Sequence, residues 1–259
     1  MNTQQPEILK QEKFRYGYRQ FVDHNQTGQP IYTYRPLTQD DFLNPTLDDT
    51  FVHGLQHNND VAHLFTTLQA HVQHNPYQHV WRSLKLHWGI AGLAEPMPDL
   101  MVAEHVANPE RARTVFDVVK EGTRPVCIIE IVSPLFVEAD LTHKVAVYEQ
   151  ARIQEYIIID SGLREGTDTL NYCIQGYRLS GDRYETISAN AEGRIQSKTL
   201  RVLFGGNAAK DGVDILTDSA STTTTPVTPL ASAVQARVDL VQGERRAKDI
   251  AAALDFLQA

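Results

Sequence analysis

The amino-acid sequence predicts an α/β fold with at least one pair of parallel strands in its central sheet. Two runs, Val126 to Val132 and Glu155 to Asp160, have the length and apolar character of buried strands. Between them, the segment from Ala139 to Ala151 has the spacing of a helix that faces a core, with apolar residues at steps of four, three and three: Leu141, Val145, Tyr148 and Ala151. A strand, a helix and a second strand in this order predict a βαβ crossover and parallel pairing.

Other segments complete the predicted core. A first helix is expected within Asp48 to Asn75, where apolar residues recur at helical spacing and Asn75-Pro76 would end it. The Gly181-Asp182 dipeptide predicts a hairpin between the last two strands. The further strands are predicted over His79 to Leu86, Asp99 to Ala103, Thr169 to Leu179 and Arg183 to Ser188.

Composition divides the chain into four parts. Residues 1–47 contain an aromatic, partly alternating stretch, a polar turn and a second such stretch, which predict an appended arm or hairpin. Residues 48–217 form the predicted core. Residues 218–229, rich in threonine, serine and proline, predict a flexible linker. The alanine-rich residues 230–259 predict an amphipathic C-terminal helix.

Composition also excludes several classes of protein. No apolar run approaches the roughly 20 residues that a membrane-spanning helix needs. The polar N-terminus, with Glu7 and Glu12, resembles neither a secretory signal nor a transit peptide, so a cytoplasmic location is expected. Two cysteines, Cys127 and Cys173, cannot form a disulfide framework or a four-cysteine zinc site, and both are expected to be buried. No zinc-ligand spacing, G-x-S-x-G elbow or glycine-rich phosphate loop is present.

The net charge of −8 argues against broad, sequence-independent binding of phosphates, which depends on a surplus of Lys and Arg. A local basic groove is compatible with this charge, and a solvated surface is the alternative interpretation of the same cluster. The basic residues concerned are Arg111, Arg113, Lys120 and Arg124.

Glu130 lies inside an apolar run that predicts a strand buried on both faces. A buried carboxylate costs several kcal/mol unless a cation or strong hydrogen bonds compensate it. Glu130 is therefore expected to bind a metal, to form a buried ion pair or to be protonated. Asp99, which follows Pro98 at the start of a strand, can reach the same sheet edge, or it serves as a turn residue or strand cap.

Lys144 shares one helical face with Leu141, Tyr148 and Ala151, which is unusual for a lysine. It either extends outward to solvent or points at Glu130 on the preceding strand. Two carboxylates and a lysine on a βαβ unit suit metal-assisted phosphodiester hydrolysis, because carboxylates hold Mg²⁺ and a cation stabilises the developing charge. The same three residues would also suit another metal-assisted hydrolysis.

An ordered series of motifs resembles the Uma-two endonucleases, a branch of the PD-(D/E)XK, or restriction-endonuclease-like, superfamily. The resemblance extends from about Phe14 to about Leu216, including Tyr16-Gly17-Tyr18-Arg19 and Pro36-Leu37-Thr38. In the wider superfamily a lysine follows the acidic residue by two places, where this chain has Val132; in this branch the following helix supplies it. The central motifs are Pro98-Asp99, Glu130 to Pro134, Asp140 to Lys144, Tyr148 and Glu155 to Asp160.

The resemblance implies a mixed central sheet flanked by helices and a Mg²⁺ site, with Mn²⁺ as a substitute. The implied metal ligands are Asp99, Glu130 and the main-chain carbonyl of Ile131, and Lys144 is implied to orient or activate the attacking water. His57, Ser133 and Tyr148 are accessory candidates, and His57 has a structural role as its alternative. DNA is the implied substrate, and a homodimer, with the C-terminal helix as a candidate contact, is the implied assembly.

Two functional hypotheses follow. The first is a Mg²⁺-dependent deoxyribonuclease that acts through Asp99, Glu130 and Lys144. The second is a binding or assembly protein that keeps the nuclease fold without its activity. The three residues favour the first hypothesis, and the acidic net charge favours the second.

Overall fold

The computed structural model describes residues 13–164, 169–207 and 212–217. The helices are α1 (Gln39–Leu43), α2 (Leu55–Val72), α3 (Val118–Glu121) and α4 (Lys144–Gln150), and a π-helical turn (Ala139–His143) directly precedes α4. The strands are β1 (Gly17–His24), β2 (Pro30–Pro36), β3 (Asp49–Phe51), β4 (Gln78–Arg82), β5 (Lys85–His87), β6 (Leu100–Glu104), β7 (Val115–Asp117), β8 (Pro125–Ile131), β9 (Glu155–Asp160), β10 (Cys173–Ser180), β11 (Arg183–Thr186), β12 (Ile195–Ser197), β13 (Val202–Asn207) and β14 (Gly212–Thr217).

The central sheet has six strands in the order β11-β10-β9-β8-β6-β4. Strands β8 and β9 pair in parallel, from Cys127 opposite Glu155 to Ile131 opposite Ile159, and the other pairs are antiparallel. The predicted βαβ crossover and mixed α/β fold class are thereby confirmed. The Gly181-Asp182 hairpin is confirmed too, because Gly181 has φ of +61° between β10 and β11.

Apolar side chains cover both faces of the central sheet. Ile129 and Ile157 pack on one face with α2 and the sheet of β12, β13 and β14. Ile128 and Ile158 pack on the other face with Tyr148 of α4. Because side chains alternate along a strand, β8 and β9 are buried on both faces, which accounts for their continuous apolar sequences. Charged side chains on these two strands are therefore buried.

Three predicted boundaries are wrong. The strand predicted over His79 to Leu86 divides at Ser83, whose φ of +51° turns the chain while its N–H donates toward the Pro98 and Asp99 carbonyls. The helix predicted from Asp48 begins only at Leu55, because Asp49–Phe51 is strand β3, which pairs with β1. The strand predicted from Thr169 begins at Cys173, which is exposed rather than buried. Its position at the strand start leaves the thiol outside the core.

The helix predicted over Ala139 to Ala151 has two geometries. The Lys144 N–H donates to the Ala139 carbonyl, five residues back, which is the π-helical pattern. The neighbouring Asp140 carbonyl accepts a hydrogen bond from the Tyr156 hydroxyl at 2.9 Å. Regular α-helix begins only at Lys144. This turn sets how the side chains of Asp140 and Lys144 meet the sheet.

The N-terminal segment forms the predicted hairpin, β1 with β2, together with an unpredicted helix, α1. Thr38 caps α1, and its capping partner is Asp41, three residues on. The predicted linker and C-terminal helix, residues 218–259, lie outside the described residues. In the part of the chain that the structure describes, no helix is long and apolar enough to cross a membrane.

Candidate active site

Asp99 and Glu130 lie side by side on neighbouring strands. Asp99 immediately precedes β6, whose first residue, Leu100, pairs with Ile129 of β8. The Asp99 N–H donates to Glu130 Oε2 at 3.2 Å, and the Ile131 N–H donates to Asp99 Oδ2 at 2.9 Å. The structure therefore brings together the two carboxylates that the sequence singled out, with the main chain of Ile131 beside them.

Lys144 points inward at Glu130. Its Nζ lies 2.9 Å from Glu130 Oε1 and 2.8 Å from Asp140 Oδ1. The Tyr148 hydroxyl, one helical turn further on, donates to the same Glu130 Oε1 at 2.6 Å. The expected contact between Lys144 and Glu130 is confirmed, and the alternative, a lysine that extends to solvent, is wrong, because Lys144 is only 1% exposed.

Glu130 and Asp140 share the single ammonium group of Lys144, whereas Asp99 lies against His57. Burial raises the pKa of Glu130 to about 8, despite the nearby ammonium of Lys144. Burial likewise raises the pKa of Asp140. Burial disfavours the charged lysine, but Asp140 and Glu130 outweigh it and raise the pKa of Lys144. The side chains around Glu130 and Asp140 therefore do not compensate the cost of burying their carboxylate forms.

His57 of α2 contacts the other side of Asp99. Its Nε2 lies 3.2 Å from Asp99 Oδ2. Burial lowers the pKa of His57, but the Asp99 carboxylate outweighs it, so the net shift is upward. The His53 ring stacks on His57 with centroids 4.2 Å apart and planes 9° from parallel. These contacts fix the orientation of Asp99.

Besides the ion-paired atoms of Asp140 and Lys144, the buried polar atoms of this region without a hydrogen-bond partner among the described residues include His57 Nδ1 and Ser133 Oγ. Ser133 is two residues beyond the end of β8. A buried polar group without a partner costs free energy comparable to a lost hydrogen bond. Both atoms are therefore available to a water molecule or a bound ligand.

The site reaches solvent at Asp99. The Asp99 side chain is 16% exposed, whereas those of Glu130 and Lys144 are 2% and 1% exposed. A ligand approaching from solvent therefore meets Asp99 first and Glu130 behind it.

The donor set suits a hard divalent cation. In the described parts of the chain, no group of three or more His, Cys, Asp and Glu side chains could hold a metal ion by itself. Mg²⁺ does not require such a group, since proteins usually bind it through one or two carboxylates together with water and substrate phosphates. Two neighbouring carboxyl groups, with the carboxylate form of Glu130 left uncompensated by its surroundings and an opening at Asp99, fit this requirement.

Sequence reasoning missed three residues at this site: Asp140, His53 and Phe42. Asp140 carries a recognisable signal, because it precedes Lys144 by four residues, whereas His53 lies before the start of α2 and has no helical relation to His57. Phe42, whose ring centroid lies 4.1 Å from Lys144 Nζ, has no such signal. It belongs to α1, about one hundred residues upstream of the lysine.

The basic residues of the cluster form ion pairs and hydrogen bonds with other groups of the same chain. Arg111 pairs with Glu121 at 2.6 Å, and Lys120 pairs with Asp117 at 2.8 Å. Arg113 donates to the main-chain carbonyls of Asn108 and Pro109, and Arg124 donates to that of Ala151. These residues do not form a groove of unpaired cations, and the interpretation of the cluster as a basic groove loses its support.

A mixed central sheet with flanking helices, and two carboxylates and a lysine at one end of it, defines a protein of the restriction-endonuclease-like class. Residues 51–205 match the family model "Uma2: Putative restriction endonuclease". The chain belongs to the Uma2 family, which confirms the resemblance noted from its motifs.

Comparison with solved structures finds a crystal structure of "a putative nuclease belonging to DUF820" from Anabaena variabilis ATCC 29413. The two chains are 15% identical and superpose with a TM-score of 0.42. The match covers 75% of this chain and 89% of that chain. Among curated proteins, no sequence matches this chain.

Proposed function

We propose that this protein is a metal-dependent endonuclease that hydrolyses DNA phosphodiester bonds at the cluster of Asp99, Glu130 and Lys144. The observation that supports it best is the position of Glu130, which is buried beside Asp99 and 2.9 Å from Lys144 without enough compensation for its carboxylate form. The family's description as a restriction endonuclease supports the nuclease class. The proposal assigns each residue a separate task.

Asp99, Glu130 and the main-chain carbonyl of Ile131 are the proposed ligands of Mg²⁺, with Mn²⁺ as a substitute. Bound there, the cation would polarise the phosphate and lower the pKa of a bound water. Asp99, the exposed member of the pair, is the residue that an incoming phosphate group meets first. His57 holds the Asp99 carboxylate in place through its Nε2.

Lys144 is the proposed electrostatic catalyst. Its pKa is raised by Asp140 and Glu130, so it is a cation at neutral pH and cannot accept a proton there. Its task is to stabilise negative charge and to orient the attacking water, rather than to act as a base. Tyr148 fixes the orientation of Glu130 through the 2.6 Å hydrogen bond from its hydroxyl, and Ser133 Oγ is available to a water molecule.

The proposal also covers the substrate, the cellular location and the oligomeric state of the protein. We propose double-stranded DNA as the substrate and the cytoplasm as the location. A homodimer, formed with the help of residues 230–259, would bring two sites to the two strands of a duplex. The DNA substrate and the homodimer follow from the family resemblance, and the location follows from the polar N-terminal sequence.

A second candidate function is a DNA-free binding or assembly module that keeps the nuclease fold. Its support is the net charge of −8 together with the four basic residues of the cluster, each of which contacts a partner within the protein. This candidate predicts no cleavage and no affinity for DNA at moderate salt.

The test is cleavage of supercoiled plasmid and of single-stranded DNA with Mg²⁺ or Mn²⁺. We expect Glu130→Gln and Lys144→Met each to reduce the cleavage rate by about 1000-fold, because the first removes a proposed metal ligand and the second removes the cation that acts on the transition state. The matched control is Glu138→Gln, which changes an exposed glutamate just before the π-helical turn and should cleave like the wild type. Absence of cleavage by the folded wild type on every substrate would support the second candidate.

A further inference from the structure

The ring of Phe42 covers the ammonium group of Lys144. The distance from Lys144 Nζ to the ring centroid is 4.1 Å, within the range of an attractive cation–π interaction. Phe42 is 9% exposed and Lys144 is 1% exposed. Such an interaction is strongest where water is excluded. The lysine at the centre of the candidate site therefore contacts a residue that precedes the segment matched by the family model, which begins at residue 51.

Aromatic neighbours fix the orientation of the Phe42 ring. It stacks on Phe136 with centroids 3.9 Å apart and planes 7° from parallel. Phe51 meets it edge-on at 5.3 Å. Phe136 lies between β8 and the π-helical turn, and Phe51 lies in β3. The face that Phe42 presents to Lys144 is thus set by its parallel stack on Phe136, while Phe51 adds an edge contact at the rim of the ring.

Ion pairs hold α1 in position beneath this ring. Asp41, the residue before Phe42, accepts hydrogen bonds from the N–H of Thr38 at 2.9 Å, from Arg35 at 2.7 Å and from Arg19 at 3.1 Å. Arg35 belongs to β2 and Arg19 to β1. The hairpin, α1 and Phe42 are therefore linked into one unit that ends at the lysine.

We propose that Phe42 is a positioning residue, which keeps the Lys144 ammonium directed at Glu130 and Asp140. This inference rests on the proposed function for its catalytic consequence. An ammonium group has three N–H bonds, and the two carboxylates lie at 2.9 and 2.8 Å from Nζ. The aromatic face covers the ammonium on a further side without competing as a charged acceptor. The N-terminal segment, predicted as an appended arm, thereby completes the active site.

The direct test is the NMR signal of the Lys144 ε-methylene group in the full-length protein. Protons over an aromatic face are shifted upfield by the ring current, so this signal should lie upfield of those of the exposed lysines. The shift should be lost in Phe42→Leu, which keeps an apolar side chain without a π face, and retained in Phe42→Tyr. A wild-type signal at the ordinary lysine position would overturn the proposal, whether or not any variant folds.

The matched control is Phe51→Leu. It removes a neighbouring ring of the same aromatic cluster, whereas the ring that lies over Lys144 Nζ is that of Phe42. Circular dichroism and a cooperative melt establish that each variant is folded. The Lys144 signal should stay upfield in Phe51→Leu. If it moves equally in both leucine variants, Phe42 acts only through general packing and the proposal is wrong.

Activity provides the second readout. In a cleaving enzyme, Phe42→Leu should lower kcat about 10-fold with KM within about twofold, and Phe42→Tyr should restore most of kcat. Phe51→Leu should cleave at close to the wild-type rate. Equal losses in the two leucine variants would overturn the proposal. Should the wild type not cleave DNA, the proposed function fails, while the NMR shift still decides whether Phe42 holds Lys144.

Discussion

Glu130 and Glu155 are two buried glutamates on adjacent parallel strands, and their surroundings shift their pKa values in opposite directions. Each is 1% exposed, and each lies on the central sheet, Glu130 near the end of β8 and Glu155 at the start of β9. Burial raises the pKa of Glu130 to about 8. Burial would also raise the pKa of Glu155, but its hydrogen-bond donors outweigh burial and lower it.

The donors around Glu155 account for the difference. Ser197 and Thr199 donate their hydroxyls, Lys198 and Thr199 donate main-chain N–H groups, and Arg178 donates its Nε at 2.8 Å. These contacts tie β9 to the sheet of β12, β13 and β14. Glu130 accepts fewer hydrogen bonds, from the Tyr148 hydroxyl and the Asp99 N–H, and it shares Lys144 with Asp140. A carboxylate whose donors outweigh burial is typical of a structural role, and a buried carboxyl whose pKa stays raised is typical of a functional site.

Replacement of each glutamate by glutamine should give the largest contrast. Glu155→Gln leaves Arg178 and several donors without their carboxylate, so it should lower the free energy of unfolding by about 3 kcal/mol. Glu130→Gln replaces a carboxyl whose neutral form is already favoured, so the loss should be under about 1 kcal/mol. Urea unfolding of the two variants measures both values. Equal losses would remove the distinction between the two sites.

A smaller effect is expected in acid, where the stability that the Glu155 carboxylate contributes should be lost. The pKa of Glu155 is below 4.5 in the folded protein, so the unfolded chain binds a proton more readily. The stability that Glu155 contributes is therefore fully present above pH 4.5 and is lost as the pH falls through the folded pKa. The difference in unfolding free energy between wild type and Glu155→Gln should accordingly shrink with falling pH.

Urea titrations at several pH values below 5 measure this acid effect. Glu138→Gln, an exposed change, is the control and should show no such trend. A constant difference between wild type and Glu155→Gln across the series would mean that the hydrogen bonds do not favour the charged form of Glu155.

Much of the sheet and one essential contact were predictable from local patterns. Continuous apolar runs identified β8 and β9, and helical spacing placed Lys144 on the face toward the sheet. A charged side chain on each of two packed elements then predicted their pairing, since neither could be buried alone. These inferences succeed because they depend on residues close together in sequence, whose geometry is fixed by the element itself.

The rest depends on contacts that no local pattern encodes. The π-helical turn sets the position of Asp140, and its i to i−5 hydrogen bond has no signature in the spacing of apolar residues. Phe42 reaches Lys144 from about one hundred residues upstream. The partners that satisfy Glu155 lie far along the chain, Arg178 23 residues downstream and Ser197 and Thr199 more than forty, so the local sequence does not reveal them. Such long-range contacts distinguish a structural carboxylate from a functional one.

Mn²⁺ binding tests most directly whether Glu130 is a metal ligand. Calorimetric titration and the melting temperature of the full-length protein both measure it. We expect Mn²⁺ to bind and stabilise the wild type and Glu138→Gln. Glu130→Gln should remain folded but lose both the binding and the stabilisation. Binding and stabilisation that persist unchanged in Glu130→Gln would show that this buried carboxyl group is not a ligand of the metal.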